Sequence, residues 1–151
     1  MPTIRPAKLA DIPRLLELYG ELSLSTSPVE KALSPSAADY ERAFERMTYS
    51  PGLELLVLEE GGEVAGVVEL LIVPNLSHSA LPWAAIESLI VDERFRRKGF
   101  GRMLMDYAIK RAREAGCYKL VLTSNKKRLE AHKFYRSLGF EETSLGFRLN
   151  F

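Results

Sequence analysis

Two adjacent glycines in the middle of the chain constrain its fold more than any other feature. Gly61 and Gly62 separate two runs rich in leucine and valine, Leu53–Glu60 and Glu63–Val73. Paired glycines readily adopt the positive φ angles of a two-residue hairpin turn, because glycine has no side chain to clash there. The sequence therefore predicts that the two runs form adjacent antiparallel strands.

Hydrophobic periodicity predicts the elements on either side of this hairpin. Before it we expect a short strand at 3–5, a helix at 12–22 that Asp11 caps and Leu22 completes, a serine-rich loop at 23–34 and a second helix at 36–47. After it we expect a strand at 83–92, a helix at 100–115 ended by Gly116, a buried strand at 118–123 and a helix at 128–138. A closing strand is expected from the alternation of Leu145, Phe147, Leu149 and Phe151. This order predicts a single α/β domain over residues 1–151 with a mixed sheet.

Composition narrows the classes of function that the chain can serve. The net charge of +1 gives no general attraction to nucleic acid or to a membrane surface. Pro74 and Pro82 interrupt the longest uncharged run, so no membrane-spanning helix is expected. The single cysteine, Cys117, cannot form an internal disulfide, which favours a cytoplasmic protein, and the chain has no HExxH or CxxC pattern that would hold a metal.

A basic, glycine-containing turn joins the strand at 83–92 to the long helix that follows. The N-terminus of a helix presents unpaired N–H groups to an anion, and glycine lets the backbone approach it closely. The turn matches neither a P-loop nor the GxGxxG fingerprint, because Leu104 stands where the third glycine is needed. An exposed arginine-rich turn and a nucleic-acid patch are the alternatives to a phosphate site. The residues concerned are Arg96, Arg97, Lys98, Gly99, Phe100, Gly101 and Arg102.

Three segments, taken in order, resemble the GNAT (GCN5-related N-acetyltransferase) superfamily over residues 86–140. Residues 86–92 followed by Arg96-x-x-Gly99-x-Gly101 resemble its motif A, and residues 116–122 resemble the next strand. Residues 131–140, with an FY pair before a GF pair, resemble motif B. The resemblance implies a GNAT-like fold, in which two central strands of a mixed, mostly antiparallel sheet splay apart and about four helices flank the sheet. It also implies direct transfer of an acetyl group from acetyl-CoA to an amine.

The resemblance assigns the cofactor residues by position. The backbone of Leu89, Ile90 and Val91 would pair with the pantetheine arm, and the N–H groups of residues 97–102 would hold the pyrophosphate. Arg128 stands where many members carry an asparagine that contacts pantetheine. We expect Arg128 to bind a cofactor phosphate or an acidic substrate instead.

Tyr135 and Glu87 are the candidates for the proton transfers. Tyr135 occupies the FY position, whose tyrosine acts as general acid in many relatives, and a core tyrosine beside Phe134 is the alternative. Glu87 lies just before the cofactor strand and is the candidate base; an exposed or ion-paired strand residue is its alternative. Candidates for contact with the acceptor are Tyr19, Glu30, Tyr40, His78 and Trp83.

Three functions are compatible with these residues. Acetylation of a small-molecule amine is favoured, and acetylation of a protein lysine or N-terminus is the second. A non-catalytic acyl-CoA-binding sensor is the third. Relatives of this kind are commonly homodimers, so a second copy of the chain is a possible partner, whereas no nucleic-acid or membrane partner is expected.

Overall fold

The computed structural model describes residues 1–21 and 27–151 of the chain. A five-stranded sheet forms its centre, with neighbouring strands in chain order. The first four strands pair antiparallel and the fifth is parallel to the fourth, which confirms the predicted mixed, mostly antiparallel sheet. The strands are β1 Thr3–Pro6, β2 Leu53–Glu60, β3 Glu63–Val73, β4 Trp83–Val91 and β5 Leu120–Leu122.

The predicted hairpin is confirmed between β2 and β3. Gly61 and Gly62 have φ angles of 60° and 81°, the left-handed values that a tight hairpin turn requires. The turn pairs Glu60 with Glu63, and this register is what places each residue of β3 on one face of the sheet or the other.

Helices cover both faces of the sheet. The long helix α4, Phe100–Glu114, packs on one face and buries Phe100, Leu104 and Met105 completely or nearly so. On the other face α1, Ile12–Tyr19, buries Leu15 and Leu18 against strand residues including Val67. The remaining helices are α2 Pro28–Lys31, α3 Ala37–Thr48 and α5 Leu129–Ser137. No helix within the described residues is long and apolar enough to cross a membrane.

The start of α1 differs from its prediction in one respect. The helix begins at Ile12 as expected, but the carboxylate of Asp11 does not cap it. A 3₁₀ turn, Leu9–Asp11, runs directly into α1, and Asp11 accepts hydrogen bonds from the backbone N–H of Lys8 at 2.7 Å and from the side chain of Arg5. Asp11 therefore closes the preceding turn and joins it to β1.

The loop predicted at 23–34 contains a short helix. Ser27 caps α2 by accepting from the N–H of Glu30, and Pro28 occupies the first helical position, where a missing N–H costs nothing. Leu22 and the first part of the predicted loop, residues 22–26, lie outside the described residues.

The predictions for the C-terminal quarter of the chain are partly wrong. β5 has three residues rather than six, and its central Val121 is 36% exposed rather than buried. The closing strand does not form, and Leu145, Phe147, Leu149 and Phe151 are 74–93% exposed. The segment instead ends at α2, where the carbonyl of Phe151 accepts from the N–H of Val29. Alternation makes a segment suitable for a strand, but a strand also needs a partner edge in register.

Candidate functional site

The second half of β4 has an open edge. β5 pairs with β4 only from Ala84 to Ile86, whereas β3 follows β4 as far as Val91. Within the described residues, no strand lies beside the other edge of 87–91, which includes Leu89, Ile90 and Val91. The central strands therefore splay apart as expected. A strand edge whose backbone groups lack a strand partner is suited to a ligand that pairs as another strand would.

A β-bulge lies where this open edge begins. The pairing of β3 with β4 shifts between Glu69 and Leu70, so that Glu69 lies opposite Ser88 while Leu70 lies opposite Ile86. Ile86 and Leu89 both pack on the α4 side of the sheet. The two residues between them, Glu87 and Ser88, therefore share the opposite face, which is the face that α1 covers.

The turn after β4 leads through two left-handed residues into the N-terminus of α4. Asp92 accepts from the N–H of Arg94 at 2.7 Å and starts a 3₁₀ turn, Glu93–Phe95. Arg97 and Gly99 then take left-handed φ angles of 65° and 79°, and α4 begins at the next residue. Left-handed residues beside a helix N-terminus turn successive N–H groups toward a common concavity, which is a known anion-binding arrangement. Arg96, Arg97, Lys98 and Arg102 make this segment basic.

Ion pairs fix this turn to the rest of the fold. Asp92 is only 5% exposed, and its carboxylate accepts from the side chains of Arg94 and Arg14. The Arg94 and Arg14 guanidinium groups hold the pKa of Asp92 well below its usual range. Arg14 lies on α1 and also donates to the carbonyl of Val64 at 3.0 Å. The turn is thereby joined to α1 and to β3.

Arg96 of the turn contacts the end of the open edge. Its Nε donates to the carbonyl of Val91 at 3.3 Å, and its guanidinium forms an ion pair of 3.2 Å with Glu21. Arg96 therefore lies at the end of the β4 edge, between that edge and the end of α1.

Helix α5 carries Tyr135 to the start of α4. The ring tip of its neighbour Phe134 lies 3.7 Å from the position that a Cβ at Gly101 would occupy, so α5 packs against the first turn of α4. Tyr135 is half-buried and its ring contacts Phe134 and Phe140. Burial raises the pKa of the Tyr135 hydroxyl, and the positive charge of Arg128 opposes that shift. The hydroxyl is therefore protonated near neutral pH and able to donate a proton.

An acidic residue that the sequence analysis missed lies on the α1 face. Glu69 of β3 is half-buried, and burial, followed by the negative charge of Glu87, raises its pKa. Tyr19 at the end of α1 is close enough for the charge of Glu69 to add to burial in raising the pKa of Tyr19 to about 12. Burying a carboxylate without a partner is costly. Glu87 is exposed and avoids this cost, whereas Glu69 is half-buried and bears it. The signal was present in the sequence, because Glu69 is the one charged residue between Val64 and Val73.

The other acceptor candidates lie in separate places. Glu30 is exposed on α2, and Tyr40 is partly buried on α3. His78 stacks on Tyr118 with ring centroids 4.5 Å apart, and Trp83 lies under the ammonium group of Lys119 at 5.9 Å. Lys119 also lies 5.3 Å from the Tyr118 ring, so His78 and Trp83 belong to one aromatic cluster at the start of β4. Among the residues that the structure describes, no group of three or more histidines, cysteines or carboxylates is arranged to hold a metal ion.

Known proteins are similar to this chain in sequence along most of their lengths. The chain is 28% identical over 147 residues to a glucosamine 6-phosphate N-acetyltransferase from Trypanosoma brucei brucei, covering 97% of this chain and 94% of that protein. It is 30% identical over 149 residues to an aminoglycoside N(6')-acetyltransferase type 1 from Stenotrophomonas maltophilia, covering 94% and 88% respectively.

A solved structure shows the same fold. A protein from Bacillus halodurans C-125, named as a transcriptional regulator, superimposes with a TM-score of 0.88 at 29% identity, and both chains are covered completely. The model of the acetyltransferase (GNAT) family matches residues 16–140, which include the second half of α1, the open edge of β4, the turn and Tyr135. The chain therefore belongs to the GNAT family of acetyltransferases.

Proposed function

We propose that residues 1–151 act as one domain that transfers an acetyl group from acetyl-CoA directly to the primary amine of a small molecule, with both substrates bound together. The observation that carries this proposal is the open edge of β4 at 87–91, which leads straight into the basic turn before α4. The edge suits an extended chain with amide groups, and the turn suits a pyrophosphate. A coenzyme A thioester has these two parts in that order.

Backbone groups hold the cofactor in this proposal. Leu89, Ile90 and Val91 pair with the pantetheine arm, and the N–H groups of residues 97–102 bind the pyrophosphate. Arg128 directly precedes α5 and its charge acts on Tyr135, so it is placed to bind a cofactor phosphate or an acidic acceptor. Acetyl-CoA supplies the activated acetyl group as a thioester.

The chemistry requires two proton transfers. An alkyl ammonium group has a pKa of ~10.4, so well under ~1% of it is a free amine near neutral pH and a nearby carboxylate must take its proton. Glu87, just before the open edge of β4, is the candidate for this carboxylate that the sequence suggests, acting directly or through water. The leaving thiolate, whose pKa is ~8.5, gains from a proton donor, and we assign that role to Tyr135.

The acceptor is proposed to be a small polar amine. The relatives described above are named for glucosamine 6-phosphate and for aminoglycosides, which both carry primary amines. Glu69 and Glu87 give the α1 face of β3 and β4 a negative charge suited to an ammonium group. Tyr19, Glu30, Tyr40, His78 and Trp83 remain candidates for contact with the rest of the acceptor.

A non-catalytic acyl-CoA-binding sensor is the second candidate. It is favoured by the name of the Bacillus halodurans protein, which superimposes along its whole length. In a sensor the open edge and the turn would bind the thioester, but the carboxylates and Tyr135 would have no chemical task.

Release of free coenzyme A from acetyl-CoA, measured across a panel of amines, tests the proposal. The panel holds amino sugars and their phosphates, aminoalkylphosphonates, aminoglycosides, polyamines, amino acids and peptides, and binding of acetyl-CoA is measured in the same sample. Release above background with one small-molecule class supports the proposal. Release with peptides alone would move the assignment to a protein substrate, and binding without release would favour the sensor.

A homodimer is part of the proposal. Four alternating apolar residues of the C-terminal segment are exposed: Leu145, Phe147, Leu149 and Phe151. Isolated chains seldom expose so many large apolar side chains in one stretch. A second copy of the chain would remove them from water.

A further inference from the structure

We propose that Glu69, rather than Glu87, accepts the proton of the acceptor's ammonium group, and that Glu87 acts on Glu69 through its negative charge. This inference rests on the proposed acetyl transfer and assigns the residues on the acceptor side of that reaction. It changes the role of Glu87 from catalytic base to a residue that tunes its neighbour across the sheet.

The bulge in β4 brings Glu87 to the same face of the sheet as Glu69. In a regular strand Glu87 would face the side opposite to Ser88. Because the bulge inserts one residue, Glu87 and Ser88 share the α1 face, and Ser88 lies directly opposite Glu69 on β3. Two carboxylates from adjacent strands thus lie on the same face where the open edge of β4 begins.

The surroundings of the two carboxylates are different. Glu69 is half-buried and follows Val67 along the α1 face, whereas Glu87 is exposed to solvent. The neighbours of Glu69 are Leu55 opposite it on β2, Ser88 and Glu87 on β4, and Tyr19 on α1. Burial and the negative charge of Glu87 are the causes of its raised pKa.

Those surroundings make Glu69 a stronger base than an ordinary glutamate. A proton acceptor works best when its pKa approaches the working pH, and enzymes raise the pKa of a glutamate by burial and by a like charge nearby. Both effects act on Glu69. Glu87 lies in water, where its main influence is the repulsion that makes protonation of Glu69 easier.

The proton balance of the reaction is complete with these groups. Glu69 takes one proton from the ammonium group and later releases it to solvent. The neutral amine forms a C–N bond to the thioester carbonyl carbon as the C–S bond breaks. The sulfur receives the proton of the Tyr135 hydroxyl, and the second proton lost by the nitrogen restores Tyr135, so the products are an amide and a thiol.

Tyr19 supports Glu69 without exchanging protons. Burial and the charge of Glu69 raise the pKa of Tyr19 to about 12, so its hydroxyl stays protonated throughout the working range. It can donate a hydrogen bond to the Glu69 carboxylate or to the acceptor, and it is a positioning residue in this account.

The pH dependence of kcat/KM separates the two glutamates. It is measured for the wild type, Glu69→Gln and Glu87→Gln with glucosamine 6-phosphate and aminomethylphosphonate as acceptors. We expect Glu69→Gln to lose the acidic limb of the profile and about 100-fold or more of its activity. We expect Glu87→Gln to keep the limb but to shift it to lower pH, because the repulsion that raises the pKa of Glu69 is gone. The reverse pattern, or an unchanged limb in Glu69→Gln, overturns the proposal.

The melting temperature and a control variant show whether Glu69→Gln removes a catalytic group or damages the fold. Because the fold raises the pKa of Glu69, it disfavours the charged form, so Glu69→Gln should melt at the same or a higher temperature near neutral pH. Its affinity for acetyl-CoA should equal that of the wild type. Glu114→Gln, which changes a carboxylate at the far end of α4, should leave the profile as it is. A lower melting temperature in Glu69→Gln would mean that the charge is structural and would overturn the proposal.

A direct titration keeps this inference separate from the proposed function. Carbon-13 NMR of the glutamate carboxyl groups follows Glu69 whether or not any amine is acetylated. We expect the Glu69 midpoint to lie above the ordinary glutamate value of ~4.3 and to fall in Glu87→Gln. A Glu69 midpoint at the ordinary value overturns the inference even if the enzyme is active. Absence of acetyl transfer to every amine, with a raised midpoint, contradicts the proposed function and the catalytic role while leaving the coupled pair intact.

Discussion

Residues 99 and 101, at the start of α4, differ in how strictly the structure requires glycine. Gly99 has a φ of 79°, which other residues adopt only with strain, and no atom lies within 4 Å of the position of a Cβ there. Gly101 is helical, and a Cβ would meet Val91 and Phe134 at 3.7 Å, an ordinary contact distance. Conformation therefore requires glycine at residue 99, whereas residue 101 has room for a methyl group.

Substitution of Gly99 by glutamate should abolish binding of acetyl-CoA. The side chain would occupy open space at the N-terminus of α4 and repel a pyrophosphate there. Gly99→Ala measures the backbone strain alone and should weaken binding less, and Gly101→Ala should bind as the wild type does. Calorimetric titration with acetyl-CoA checks all three variants; tight binding by Gly99→Glu would remove the pyrophosphate from this turn.

Asp92 should make stability depend on acidic pH. Its pKa is lowered in the folded chain, so its contribution is complete above the unfolded value of ~3.9 and is lost as pH falls below that value. Asp92→Asn should cost about 3 kcal/mol near neutral pH, because Arg14 loses a buried partner. Urea unfolding at neutral pH and near pH 3 measures the difference between variant and wild type. That difference should shrink at the lower pH, and a constant difference would show that the ion pair is not responsible.

At the scale of elements, the sequence predicted correctly the turns, helix ends and strand bounds that depend on a few neighbouring residues. The Gly61–Gly62 turn and the helix-ending Gly116 and Gly139 all have positive φ angles, and β2 and β3 have their predicted bounds. The closing strand was wrong because a strand also depends on a distant edge, which the alternation of Leu145 to Phe151 does not specify. The helix-cap prediction for Asp11 failed because Arg5 and Lys8 bind its carboxylate instead.

The C-terminal segment gives a prediction at this scale. If a second copy of the chain covers the exposed apolar side chains, Phe147→Ser with Leu149→Ser should shift the protein from dimer to monomer in sedimentation measurements. Both residues are exposed, at 93% and 79%, so the melting temperature extrapolated to low protein concentration should change little. Equal sedimentation of variant and wild type would contradict the proposed role of this segment.

At the scale of the whole molecule, the proposed site is assembled from elements far apart in the chain. Tyr19 lies on α1, Glu69 on β3, the open edge on β4 and Tyr135 on α5. The basic turn before α4 was predictable as a structural element because its glycines and arginines are contiguous in sequence. Glu69 stands out in the sequence as the one charged residue between Val64 and Val73, but its place beside Glu87 was not predictable, because that place follows from a one-residue shift in strand register that no local pattern encodes.

The central claim is that this chain binds acetyl-CoA and passes its acetyl group to an amine. The most direct test is to quantify acetylated amine and free coenzyme A together, by mass spectrometry, for the wild type and Tyr135→Phe with the best small-molecule acceptor of the panel. The account predicts equal amounts of the two products, formed on the order of 100-fold more slowly by Tyr135→Phe at an unchanged affinity for acetyl-CoA. Binding of acetyl-CoA without either product from any amine would contradict it, as would the absence of binding.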